Sequence, residues 1–156
     1  NLKLYLDKGG FSSYQSEYPF SMATKNGSIL NSINSLANTD ADKNYIFIKN
    51  IFKEPIEEKF PAYVINYKLK KIEEKYELIT NYSNFIEISK NLIHKENFFF
   101  TKKFMGVPIY ISIKNKHVSL EHTHPPHEYI LSNNKFQKVA ILKNEINEII
   151  NQIYSN

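Results

Sequence analysis

The chain has 156 residues, 42% of them apolar and 14% aromatic, with no cysteine and a formal net charge of +4 in which every basic residue is lysine. A chain of this size buries roughly two-thirds of its unfolded surface, so one globular domain over 1–156 is expected, as a whole protein or as a fragment of a longer chain. Without cysteine there are no disulfides, thiolate metal ligands or cysteine nucleophiles, and a reducing, cytoplasmic setting is the expectation. Arginine is the side chain that grips phosphate through two parallel hydrogen bonds, and its absence argues against a nucleic-acid partner. No apolar run approaches the roughly 20 residues of a membrane helix, so no membrane partner is expected either.

The first informative stretch is GGFSSYQSEYPFSM, residues 9 to 22. It lacks a clean period and reads as a long polar loop, a kind of segment that often carries function. Tyr14, Gln15 and Ser16 are its candidate ligand-binding residues, Glu17 its candidate acid–base group, and Tyr18 and Phe20 could stack on a polar ligand such as a sugar. GSILNSINSL, 27 to 36, reads as a short helix weakened by Ser and Asn, which compete for backbone hydrogen bonds. NYIFIKNIF (44 to 52) and AYVINYKL (62 to 69) are rich in β-branched and aromatic residues and predict two neighbouring strands. KLKKIEEKYE, from 68 to 77, mixes both signs of charge and reads as a solvated face.

NFIEISKNLIHK (84 to 95) predicts a second helix, with His94 as a favourable charge at its C-terminal end. The runs 97 to 105, 107 to 113 and 117 to 124 predict a three-stranded antiparallel meander, with Gly106 and Lys114, Asn115 and Lys116 at its turns. From about 134 to 154, Val139, Leu142, Ile146, Ile149 and Ile153 recur at steps of three and four, as an amphipathic helix lying on a sheet requires. The predicted fold is α+β: a mainly antiparallel sheet of five to six strands with a long C-terminal helix and one or two further helices.

The chemistry concentrates in EHTHPPHEY, 121 to 129, which holds three of the five histidines. Side chains alternate along a strand, so Val118, Leu120, His122 and His124 share one face and His117, Ser119, Glu121 and Thr123 the other. Two imidazoles two residues apart on one strand face can converge on a single cation at about 2.0 to 2.1 Å from each nitrogen. His122, His124 and His127 are the candidate metal ligands, and Glu128, with Glu17 or Glu121, the candidate base. The cofactor they would hold is a divalent metal, zinc or manganese.

HTHPPHEYILSNNK resembles the JAMM metalloprotease motif at His122, Thr123, His124, Pro125 and Ser132, although Lys135 stands where that family has its third ligand, Asp. His122, His124 and Glu128 also have the spacing of the first cupin motif, without its framing glycines. The order strand, clustered histidines, helix is similar to the histidine-triad nucleotide hydrolases, but His127 falls one residue beyond strict alternation. The first resemblance implies a zinc hydrolase, the second a metal site at the histidine pair and the third a histidine nucleophile.

Two functional classes follow from these residues. One is a small divalent-metal hydrolase in which the histidine pair holds an activated water. The other is a non-catalytic accessory domain that binds a polar small molecule or a protein, with the histidines serving structure alone.

Overall fold

A computed structural model describes residues 2–5, 11–14, 28–49, 57–80, 82–102, 107–122 and 133–154. Strands β1 (Leu2–Tyr5) and β2 (Phe11–Tyr14) form an antiparallel hairpin. Two four-stranded antiparallel sheets follow. Sheet I contains β3 (Ser28–Ser32), β5 (Lys59–Asn66), β6 (Lys71–Ile79) and β8 (Asn97–Lys102), in the order β3-β8-β5-β6. Sheet II contains β4 (Lys43–Ile48), β7 (Asn84–Ile88), β9 (Ile109–Lys114) and β10 (His117–His122), in the order β10-β9-β4-β7. A four-residue helix, α1 (Ile33–Leu36), leads from β3 toward β4, and the 22-residue α2 (Asn133–Tyr154) is the long C-terminal helix. The class is α+β.

The two sheets face each other. Ile46 and Ile48 of β4, Ile86 and Ile88 of β7 and Tyr110 of β9 pack with Ala62 and Val64 of β5, Leu78 of β6 and Phe99 of β8. The alternate residues of sheet I point outward and make a second core, in which Tyr63, Ile65 and Phe100 receive Ile146 and Ile149 of α2. Burial on both sides explains why β5 and β8 are continuous apolar runs, since a central strand between two cores has no solvated face. The expected stripe on α2 therefore meets a sheet, with Leu142 half-buried beside the buried pair and Ile153 40% exposed at the end.

Several local expectations are corrected. Eight strands in two facing sheets replace one sheet of five to six. The segments 44 to 52 and 62 to 69 supply β4 and β5, which belong to different sheets and are not neighbours. The expected meander keeps only its β9–β10 hairpin, because β8 pairs with β3 and β5 in sheet I. The helix expected over 84 to 95 is strand β7 followed by a 3-10 turn at Lys90–Leu92. Asn84 holds that region in place: its side-chain amide donates to the carbonyls of Ile48, Ile79 and Tyr82, and its oxygen accepts from the N–H of Ile79 at 2.8 Å. These bonds fix the chain where it crosses from sheet I to sheet II. The helix expected over 27 to 36 is half strand, with only Ile33–Leu36 helical.

Candidate functional site

The β9–β10 hairpin sets the position of the histidine segment. Its two-residue turn, Asn115 and Lys116, has φ of 47° and 69°, the doubly left-handed geometry that matches strand twist. The Asn115 N–H donates to Asp42 at 2.9 Å, which ties the turn to the entry of β4. From this turn the register runs to His122 opposite Ile109. Exposure alternates along β10, so Val118, Leu120 and His122 are half-buried on one face while His117, Ser119 and Glu121 are exposed on the other. Glu121 therefore points away from His122.

The face carrying His122 is the outer face of sheet II. Strand pairing lines up His122, Ile109, Phe47 and Phe85 in one row across β10, β9, β4 and β7. The adjoining row is Leu120, Ile111, Tyr45 and Glu87. Ile109 and Ile111 are buried, and β2 runs close to β10. The β4–β7 half differs, because aromatic rings there reach the surface. Tyr45 stacks on Phe85 at 4.7 Å with 28° between the rings, and Phe47 meets Phe85 edge-on at 6.4 Å. Phe85 is 52% exposed. Beside the rings, Lys43 is held more basic than usual by its hydrogen bond with Tyr45 and by the negative charge of Glu87. The result is an apolar ring cluster flanked by one cation and one anion. Such a surface can stack on an apolar face of a ligand and hydrogen-bond to its edges.

Of the residues singled out in the sequence, Tyr14 is the last residue of β2, paired with Leu2. His122 closes β10 on the outer face of sheet II. Gln15, Ser16, Glu17, Tyr18, Phe20, His124, His127 and Glu128 lie outside the described residues. Lys135 lies in the first turn of α2. Among the described residues no three His, Asp or Glu side chains gather as a metal site would require.

Sequence reading missed Tyr45, Phe47 and Phe85. The first two carried a legible signal, because in NYIFI the aromatic residues alternate with Ile46 and Ile48, aromatic on one face and aliphatic on the other. Phe85 carries no such signal, because the spacing of Phe85, Ile88 and Leu92 predicts a helix where β7 forms. No protein-family model matches the chain, and comparison with curated proteins and with solved structures gives no match.

Proposed function

We propose that the protein is a non-catalytic binding domain whose ligand face is the outer face of sheet II. The observation that supports this is the aromatic cluster Tyr45, Phe47 and Phe85 at the surface of a sheet whose opposite face packs into the core along β4, β7 and β9. Phe85 keeps about half of its surface in water, so apolar ring surface remains open to a ligand. Lys43 and Glu87 supply a donor and an acceptor at the rim, so a polar molecule with an apolar face, such as a saccharide, suits the surface better than a purely apolar one. The test is a neutral oligosaccharide array probed with the intact protein and with Phe85→Ala. Retention of at least one glycan, reduced about tenfold or more by Phe85→Ala, is the expected result, in the range of one lost aromatic contact in a binding site. Failure to retain any glycan would remove the saccharide reading.

A second reading keeps the histidines as ligands, and the placement of His122 supports it. That side chain ends the half-buried row of β10, as a strand-borne ligand pair requires. In this reading His122 and His124, with His127 or Glu128, hold zinc or manganese, and Glu128 or Glu17 serves as base. A bound divalent metal would lower the pKa of its water toward about 7. Elemental analysis of the untagged protein, set against the His122→Ala/His124→Ala variant, decides it. Near-stoichiometric metal lost in the variant is expected, whereas metal absent from both proteins rejects the reading.

A further inference from the structure

The lysine-rich stretch that reads as a solvated face in the sequence acquires a different meaning once its position in the fold is known. β5 and β6 are joined by a turn over residues 67–70, in which Lys70 has φ of 50° and the Leu69 N–H donates to Asn66 at 3.0 Å. That turn holds Leu69 outward, 62% exposed, and the most exposed large apolar side chain among the described residues. Lys68, Lys70 and Lys71 flank it and are all exposed.

The register shows what else lies at this end. Asn66 pairs with both Lys71 and Asn97, so the β5–β6 turn stands beside the entry to β8. The Tyr67 N–H donates to the Glu96 carbonyl at 2.9 Å. In sheet II, Lys43 pairs with Ile113 and Asn44 with Ile88, so the β9–β10 turn and the exit of β7 lie at one end. The chain passes between the two sheets at these ends through α1 and through 89–96, which places them together. Segments 33–42, 67–71, 89–96 and 114–117 hold seven lysines (68, 70, 71, 90, 95, 114 and 116) against three carboxylates, Asp40, Asp42 and Glu96. All seven lysines are exposed. Within these segments the excess is +4; Lys68 pairs with Glu96 at 3.6 Å and Lys71 with Glu73 at 3.0 Å, and both lysine side chains stay more than half exposed.

We propose that this end docks on an anionic lipid bilayer, with Leu69 entering the headgroup–acyl boundary and the lysines meeting lipid phosphates and carboxylates. Lysine stems can lie along the interface while their ammonium groups stay hydrated, and an aliphatic side chain at a turn tip adds a short-range apolar term to the long-range attraction. This is surface docking, and it needs no membrane-spanning segment. A nucleic acid fits less well, because the tip offers an aliphatic side chain in place of an open stacking ring. Tyr67, the nearest aromatic residue, is engaged edge-on with Phe98 and through its hydroxyl with Glu145. The proposal is independent of the ligand face on sheet II.

Co-sedimentation of the full chain with vesicles of phosphatidylcholine alone, and of phosphatidylcholine mixed with phosphatidylserine, tests it. Binding to the mixed vesicles alone, weakening as salt is raised, is expected. Lys68→Ala/Lys70→Ala should reduce partitioning about thirtyfold, at about a fivefold loss per juxtamembrane lysine. Leu69→Ser should reduce it about tenfold while leaving the salt dependence unchanged. Lys59→Ala, at the other end of β5, should match the wild type, and far-ultraviolet circular dichroism confirms that each variant is folded. Equal binding to neutral vesicles, no binding to either, or wild-type affinity in Leu69→Ser overturns the proposal. So does displacement from the vesicles by a short oligonucleotide with a wild-type response in Leu69→Ser, which would mark a polyanion site in place of a lipid one.

Discussion

At the residue scale, the buried polar groups are the informative ones, because each must be paired or must cost stability. Asn44, Ser112 and Asn38 form a closed set: the Ser112 hydroxyl donates to the Asn44 oxygen at 2.7 Å, and the Asn44 amide donates to the Asn38 carbonyl at 2.9 Å. That set anchors the chain leaving α1 to the inner face of sheet II. Tyr110 is the contrasting case. It is 1% exposed in the inter-sheet core, and its hydroxyl has no hydrogen-bond partner among the described residues. Burial holds its phenol far above the ordinary tyrosine range. Tyr110→Phe should therefore leave stability unchanged or raise it by up to about 1 kcal/mol, since it removes an unsatisfied polar atom and keeps the ring. Urea unfolding measures this, and a loss above about 1 kcal/mol would reveal a partner for the hydroxyl.

Two further tyrosines make a pH prediction. Burial, then the hydrogen bond with Tyr154, pushes Tyr63 up to about 12, and burial, then the charge of Glu74, pushes Tyr76 up to about 12. In the unfolded chain both titrate near about 10. The folded state thus holds these protons more tightly, and their contribution is fully present below about pH 10 and lost as pH rises toward 12. Thermal melts should be flat on this account up to about pH 10 and fall steadily beyond it, with a shallower fall in Tyr76→Phe. An identical alkaline slope in that variant would show that Tyr76 does not contribute.

At the element scale, the sequence was most legible where one period dominated. The steps of three and four in α2 describe a helix with one buried stripe, and that helix forms. Its seat is also polar at the rim: the Tyr67 hydroxyl donates to Glu145 at 2.6 Å, and the Lys75 ammonium lies 5.0 Å from the centre of the Tyr154 ring. Ile146 is fully buried beneath it against sheet I. Ile146→Ala should cost about 2 to 5 kcal/mol, the range for deleting a buried aliphatic side chain. A cost below about 1 kcal/mol in urea unfolding would mean that α2 is only loosely seated.

Legibility failed at β6 for a physical reason. KIEEKYELI alternates well enough for a strand, but its charges mimic a solvated surface, as they should on an edge strand protected against pairing with other chains. The ladder also carries an irregularity that no sequence period reveals. Val64 faces Glu74 and Ile65 faces Ile72, leaving Glu73 as the extra residue. That single insertion turns Ile72 toward the α2 side of sheet I while Tyr76 and Leu78 face the inter-sheet core. Over 84 to 95, by contrast, Phe85, Ile88 and Leu92 fit a helical spacing. There the ladder with β4 and the four bonds of Asn84 overrode it, which is a tertiary outcome that local pattern does not encode.

At the scale of the whole molecule, sheet membership was the least legible property, because β4 pairs with β9 and β5 with β8 across long stretches of chain. The faces of individual strands were readable and their partners were not. For the candidate site this meant that the β10 alternation, including His122, could be read in advance, while the row joining His122 to Phe47 and Phe85 could not. That row carries the proposed function, so its role must be separated from simple packing. Two phenylalanines on opposite faces of the architecture make the comparison. Phe99 is fully buried between the sheets, and Phe99→Ala should cost about 3 to 5 kcal/mol. Phe85 lies half in water, and Phe85→Ala should cost only about 1 to 2 kcal/mol, because about half of its surface stays in solvent on folding. If urea unfolding finds the two costs equal, the aromatic cluster is a structural element and the ligand face loses its support. If they separate as expected, Phe85 contributes little to stability, and the proposed ligand face keeps its support.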